Sequence, residues 1–283
     1  MTTMQFLEAA WEWYPSVVIG CLLLMGTYLF ATHFERSRRT LYFALGNLAL
    51  LLTLCGPLDV LGDDYLFSAH MLEHLSLELI VAPLLLLGLP RWFIRKVLAV
   101  PWVRKIEEIL GAPVIAWFLG IGILWTWHLP VLYNAALENE RLHVFQHLTF
   151  LVSATIFWWP ILAPPGYRRL NTLPAIFYLY FGGLANSILG ALLTFAPVGL
   201  YPQYVHPENE FGALDLIRNG WGISVKADQQ LGGLFMWVIG GAIFLWAILM
   251  VYARWYRGKE GWYRAPKVIR VGQTFSEQGH QLI

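Results

Sequence analysis

Four histidines fall in two pairs, His70 with His74 and His143 with His147, each pair four residues apart at the start of a long apolar run. At about 1.5 Å of rise and about 3.6 residues per turn, helical partners with this spacing sit about 6 Å apart along the axis and about 40° apart around it. Each pair therefore offers two imidazoles in one direction. Neutral imidazole is the commonest protein ligand for transition metals; two such pairs on facing helices supply three or four nitrogens to one ion, or two each to a pair of ions. Copper, zinc and iron are the ions this donor type favours. A plainer reading has the rings snorkelling at an interface, bonding to backbone or stacking on nearby Trp and Tyr. Two pairs at matched depth, joined by His128 and Asp228, favour ligation.

Other polar residues surround this set. Glu73 lies between His70 and His74, where a carboxylate can hold a ligating ring through its second N–H or face surface water. Together with Gln229 it is expected to steady the ligands rather than touch the ion. Glu78, deeper in the same run, suits a proton or hydrogen-bond role or a pairing with Asn186. Asp228 precedes Gln229, Gln230 and Gly232–Gly233, so capping of its own helix competes with ligation as the reason for a carboxylate there. Cys21, Cys55, Met71 and Met236 read as apolar packing, and a thiolate site for cuprous ion is the lesser alternative for the cysteines. Gly182–Gly183, Gly190 and Gly240–Gly241 permit close helix approach.

The elements that must position these residues are membrane helices. Of 283 residues, 58% are hydrophobic and 13% charged, against about 25% charged in soluble domains. Apolar runs long enough for a hydrocarbon core of about 30 Å lie near Pro15–Thr32, Leu41–Pro57, Ala69–Leu89, Pro113–Trp127, His143–Leu162, Pro174–Ala196 and Leu231–Tyr252. The expectation is an all-α, polytopic bundle of seven transmembrane helices over residues 1–257, followed by a cytoplasmic tail over 258–283. Asp59–Ser68, Arg91–Gly111 and Pro164–Thr172 read as connections. All but Arg141, Arg218 and Lys226 of the 19 lysines and arginines fall in alternate loops and the tail. By the positive-inside rule this places the N-terminus outside and the C-terminus in the cytoplasm. Met1–Tyr14 has neither a positive start nor a small-residue cleavage site, which argues against a removed signal peptide.

With that orientation His70, His74, His128, His143, His147 and Asp228 converge on the outer face. The segment 197–227, with Tyr201, Tyr204, His206 and Trp221, is long for a connection and reads equally as a lid or a partner surface. A net charge of +1 suggests no nucleic-acid partner.

Several stretches together resemble the CtaG-type assembly factors of cytochrome c oxidase, typified by the caa3 oxidase factor. They are His70-Met-Leu-Glu-His74 running to Ala82-Pro83 and Gly88-Leu-Pro90, Trp125-Thr-Trp-His-Leu-Pro130 with Tyr133, Asn134 and Ala136, and His143 to His147. Phe157-Trp-Trp-Pro160, Asp228-Gln-Gln-Leu-Gly-Gly233 and Met236-Trp237 complete the set. Glu73 departs from the pattern, standing where a glutamine is expected. The resemblance implies seven spans in a bacterial cell (inner) membrane and a part in maturing a haem–copper oxidase. It also implies candidate copper ligands at His70, His74, His128, His143, His147 and Asp228.

The expected function is accordingly a copper-binding assembly factor, more a metallochaperone than an enzyme, whose partners are an oxidase subunit or a soluble copper chaperone. A homodimer stays open. Two alternatives compete. One is an intramembrane metal-dependent hydrolase or oxidase in which histidines and Asp228 hold zinc or iron with an open position. The other is bis-histidine haem binding across the bundle.

Overall fold

The computed structural model describes residues 1–164 and 167–260, with side chains to residue 258. Helices dominate, and there is no strand among the described residues. In chain order they are α1 (Thr3–Ala9), α2 (Pro15–Ala31), α3 (Arg38–Cys55), α4 (Pro57–Tyr65), α5 (Phe67–Gly88), α6 (Arg91–Val97), α7 (Pro101–Leu110), α8 (Pro113–Trp127), α9 (Pro130–Leu137), α10 (Glu140–Leu162), α11 (Thr172–Phe195) and α12 (Val225–Gly258). Proline opens α2, α4, α7, α8 and α9, where its missing N–H costs nothing and its fixed φ suits the first turn. Side chains of Ser37, Asn139 and Ser224 accept from backbone N–H groups to start α3, α10 and α12.

Four of these helices, α5, α10, α11 and α12, are long and apolar enough to cross a membrane. Two further pairs qualify only as broken spans: α3 with α4 bends by 41°, and α7 with α8 by 70°. α2, with 17 residues, is a shorter apolar helix. All seven apolar runs expected from sequence are thus helical, while length and composition by themselves mark four candidate spans, or up to six with each bent pair taken as one. The polar stretch Asp59–Ser68, expected as a connection, is instead α4 and the first residues of α5. Pro57 restarts the helix after the break at Gly56 rather than ending it. The supposed connection Arg91–Gly111 likewise holds α6 and α7. α12 continues through residue 258, and most of the expected tail, from 261 onward, lies outside the described residues.

Two long helices carry a π turn, Leu77–Val81 in α5 and Phe235–Gly240 in α12. The first stands just before Pro83, which has no N–H to offer and whose ring crowds the carbonyl of the preceding turn. Such turns leave carbonyls short of intrahelical donors, and neighbouring helices supply them. Trp158 Nε1–H donates to the Glu78 carbonyl at 2.9 Å, and Asn186 Nδ2–H to the Met236 carbonyl at 2.7 Å. Asn186 is therefore engaged with α12, and among the described residues no hydrogen bond joins it to the Glu78 side chain.

α10 packs on α8 and on the second half of α5, α3 packs along that same half, and α11 lies against α12. Phe150, Phe157, Leu179, Met236 and Phe244 form the heart of the resulting core. A second, smaller core caps the histidine end of the bundle. It joins Phe6 of α1, Tyr65 of α4, Leu66 and Ala69 around the start of α5, and Ala213 and Ile217 of the 197–224 segment.

Candidate metal centre

α5 brings His70 and His74 to the inside of the bundle, fully or almost fully buried. α10 brings His143 and His147 opposite them. The ring centroids of His70 and His143 are 5.5 Å apart and nearly parallel, those of His74 and His147 are 5.5 Å apart, and the pairs within each helix lie at 4.1 and 4.2 Å. The convergence expected from the paired spacing is present. His128, which terminates α8, sits one layer further in, its ring 6.0 Å from that of His74.

The carboxylate that meets these rings is Asp63, in the stretch Asp59–Ser68 expected as a connection. Its Oδ1 is 3.4 Å from His70 Nδ1 and its Oδ2 is 3.2 Å from His143 Nδ1. One ligand atom from each of Asp63, His70 and His143 falls within 4.8 Å of the others, an arrangement able to hold a metal ion. Asp63 reaches the rings because α4 ends in a π turn, Leu61–Tyr65, pressed onto α5. A Cβ on Gly62 would lie 2.9 Å from the Cα of His70, so glycine is what lets the two backbones come this close.

Glu73 makes the second acidic contact. It is completely buried, with Oε2 3.9 Å from His70 Nδ1 and Oε1 3.5 Å from His147 Nε2. Asp59 lies against it, carboxyl to carboxyl. Acids and imidazoles packed this closely, most of them buried, require protons or cations to balance them. Nine atoms here are buried without a hydrogen-bond partner among the described residues: both ring nitrogens of His70 and of His74, both Glu73 oxygens, Asp63 Oδ1, His143 Nε2 and His147 Nε2. Buried polar groups are almost always satisfied. So dense a set of unpartnered donors and acceptors makes the cluster a candidate cation site.

Asp228 and Gln229 are engaged elsewhere. Asp228 is buried, and its carboxylate accepts from the N–H of Phe67 at 2.9 Å and from the N–H and hydroxyl of Ser68 at 3.0 and 2.6 Å. It caps α5 from a different helix, while Ser224 caps its own. Gln229 donates to the carbonyls of Leu193, Ala196 and Pro197, closing the end of α11. Both residues fix the helices that carry or flank the histidines, and among the described residues neither makes a hydrogen bond to them.

The 197–224 segment folds over this end. Tyr204 donates to the carbonyl of Gly62 at 2.8 Å and shares a 2.9 Å contact with the Tyr133 hydroxyl, while Tyr201 donates to the His128 carbonyl. Tyr133 in turn presents its ring to His70 at 5.2 Å. Burial raises the pKa of both Tyr201 and Tyr204, so these hydroxyls stay protonated donors at any physiological pH. On one flank the cover is open. A cleft of about 400 Å³ between α2 and α10 leads from apolar Val17 and Leu148 to Asp63, His143 and His147.

An apolar helix bundle that gathers imidazoles and carboxylates under a tyrosine-tied cover at one end defines a membrane-type protein with a candidate cation site. Residues 21–258 match the model of the cytochrome c oxidase caa3 assembly factor family (Caa3_CtaG), and the chain belongs to that family. Among curated proteins it is 24% identical over 235 residues to "Uncharacterized protein ML1998" of Mycobacterium leprae, covering 77% of this chain and 34% of that protein. It is 26% identical over 236 residues to "Uncharacterized protein Mb0105" of Mycobacterium bovis and to "Uncharacterized protein MT0111" of Mycobacterium tuberculosis, with the same coverage. The chain thus spans about a third of the length of these relatives. No solved structure matches it.

Proposed function

We propose that this assembly factor binds copper among Asp63, His70, His74, His143 and His147 and passes it to a haem–copper oxidase subunit or takes it from a soluble copper chaperone. The observation that carries the reading is the set of buried imidazole and carboxylate atoms lacking partners at one end of the bundle. Imidazole suits copper well. The anionic share of the site favours capture of a cation, and the cleft beside His143 and His147 provides a route for exchange. Delivery requires such a route, because a closed cage would hold its cargo too long.

In the proposed topology all seven apolar segments cross a bacterial cell membrane, with α2 and the two bent pairs included. The N-terminus and the histidine end face outward, following the distribution of lysine and arginine. A chain working as a homodimer is compatible with this arrangement.

Glu73 favours one further reading. A buried carboxylate set against a second carboxyl, next to candidate metal ligands, is also how a metal-dependent hydrolase places its general base. The two readings separate by turnover. Purified protein loaded with copper under reducing conditions is expected to hold about one or two ions per chain by the ligand count available, and His70→Ala with His147→Ala to lower that number. Unchanged copper in the double variant would eliminate the ligands; zinc in the isolated protein with hydrolysis of a lipid amide would select the enzyme.

A further inference from the structure

Below the acid-rich cluster lies a contact between two acceptors. His128 Nδ1 donates to the Leu124 carbonyl at 2.7 Å, which fixes the tautomer and leaves the lone pair on Nε2. That lone pair points at the thioether sulfur of Met71, 3.3 Å away. Met71 is fully buried, and its sulfur has no hydrogen to offer. Two lone pairs held face to face gain nothing unless something positive lies between or beside them.

The spacing suits a cation. With metal–nitrogen and metal–sulfur bonds of about 2.0 and about 2.3 Å, a separation of this size spans an angle of about 100° at the ion. A third donor stands alongside. His74 follows Met71 by three residues on α5, hence on the same face, and its ring meets that of His128 edge to face at 6.0 Å. Both of its nitrogens are buried without a hydrogen-bond partner among the described residues. Two imidazoles and a thioether are neutral and polarisable. They match a monovalent soft ion, in contrast with the oxygen-rich set at Asp63 and Glu73, which matches a divalent one.

We propose that Met71, His128 and His74 form a second, softer site that holds cuprous ion beneath the Asp63–His70–His143 cluster. This deepens the copper reading and rests on it for the identity of the ion. His70 and His74, with rings 4.1 Å apart, connect the two levels. A cuprous ion entering through the oxygen-rich level would pass to the sulfur-bearing level with its oxidation state unchanged. No electron transfer is assigned to the protein.

The test uses the full chain with methionine replaced biosynthetically by selenomethionine, which changes no side-chain shape and distinguishes methionine from Cys21 and Cys55. Loaded anaerobically with Cu(I), it is expected to give a copper–selenium scattering path in X-ray absorption. Met71→Leu, close in volume to the original, is expected to lose that path and one Cu(I) per chain while keeping its Zn(II) stoichiometry. Absence of copper–selenium scattering in the unsubstituted chain would overturn the site without requiring any variant to fold. An unchanged Cu(I) count in a Met71→Leu chain that still binds Zn(II) would overturn it too. Asp63→Asn with His143→Ala reads the upper cluster separately: if that variant keeps its Zn(II), the Asp63-centred reading fails whatever happens at Met71.

Discussion

Gly62 touches His70 so closely that a methyl group on its Cα would come within 2.9 Å of the histidine's Cα and backbone nitrogen. The contact sets how far Asp63, the next residue, extends over the rings. Gly62→Ala should push α4 away from α5, at a cost of about 1–3 kcal/mol for an overpacked contact. It should also weaken metal binding by at least about tenfold, judging from the effect of disturbing groups that orient ligands. Helical content should be unaffected. Equilibrium metal titration beside circular dichroism checks both halves, and wild-type affinity in a folded Gly62→Ala chain would show that Asp63 is not held by this contact.

Asp63→Asn retains the size of the side chain and removes its charge. Metal affinity should fall by about tenfold or more, because the two imidazoles would then face a neutral amide. Competition against a chelator of known strength measures it.

Asp228→Ala has a different signature. It strips the first turn of α5 of acceptors for two buried N–H groups and the Ser68 hydroxyl, at about 1–3 kcal/mol for each buried donor left unmet. The protein should melt at a lower temperature yet keep its full metal count per folded chain. A lost metal ion with unchanged thermal stability would instead make Asp228 a ligand.

Tyr204→Phe deletes the donor to the Gly62 carbonyl and the partner of Tyr133. Freed at that point, the 197–224 segment should become more susceptible to limited proteolysis, with a stability loss of about 1–3 kcal/mol. Cleavage rates in detergent, compared with wild type, decide the matter.

The histidines were legible because helical spacing alone makes residues four apart share a face, and hydrophobic runs marked which helices carry them. Glu73 was legible for the same reason. Asp63 was not: a run of acids after a proline reads as a connection, and the π turn that swings it over His70 has no sequence signal beyond Gly62. Asp228 was noticed but misplaced, since a carboxylate near a helix start suggests capping of its own helix, whereas here it caps one that begins 161 residues earlier. The breaks at Gly56 and near Gly111 join an apolar run to a more polar helix, Pro57–Tyr65 after one run and Pro101–Leu110 before another. Hydropathy marks the apolar member of each pair and passes over its polar partner.

The bridge from Asp228 to Phe67 and Ser68 also bears on the order of events during synthesis. A nascent chain that had emerged only as far as residue 220 would already contain every imidazole and acid of the cluster. It would still lack the anchor that seats the front of α5, so its histidines would have no fixed aim. On the proposed copper reading, capture of an ion would wait until α12 has been threaded into place.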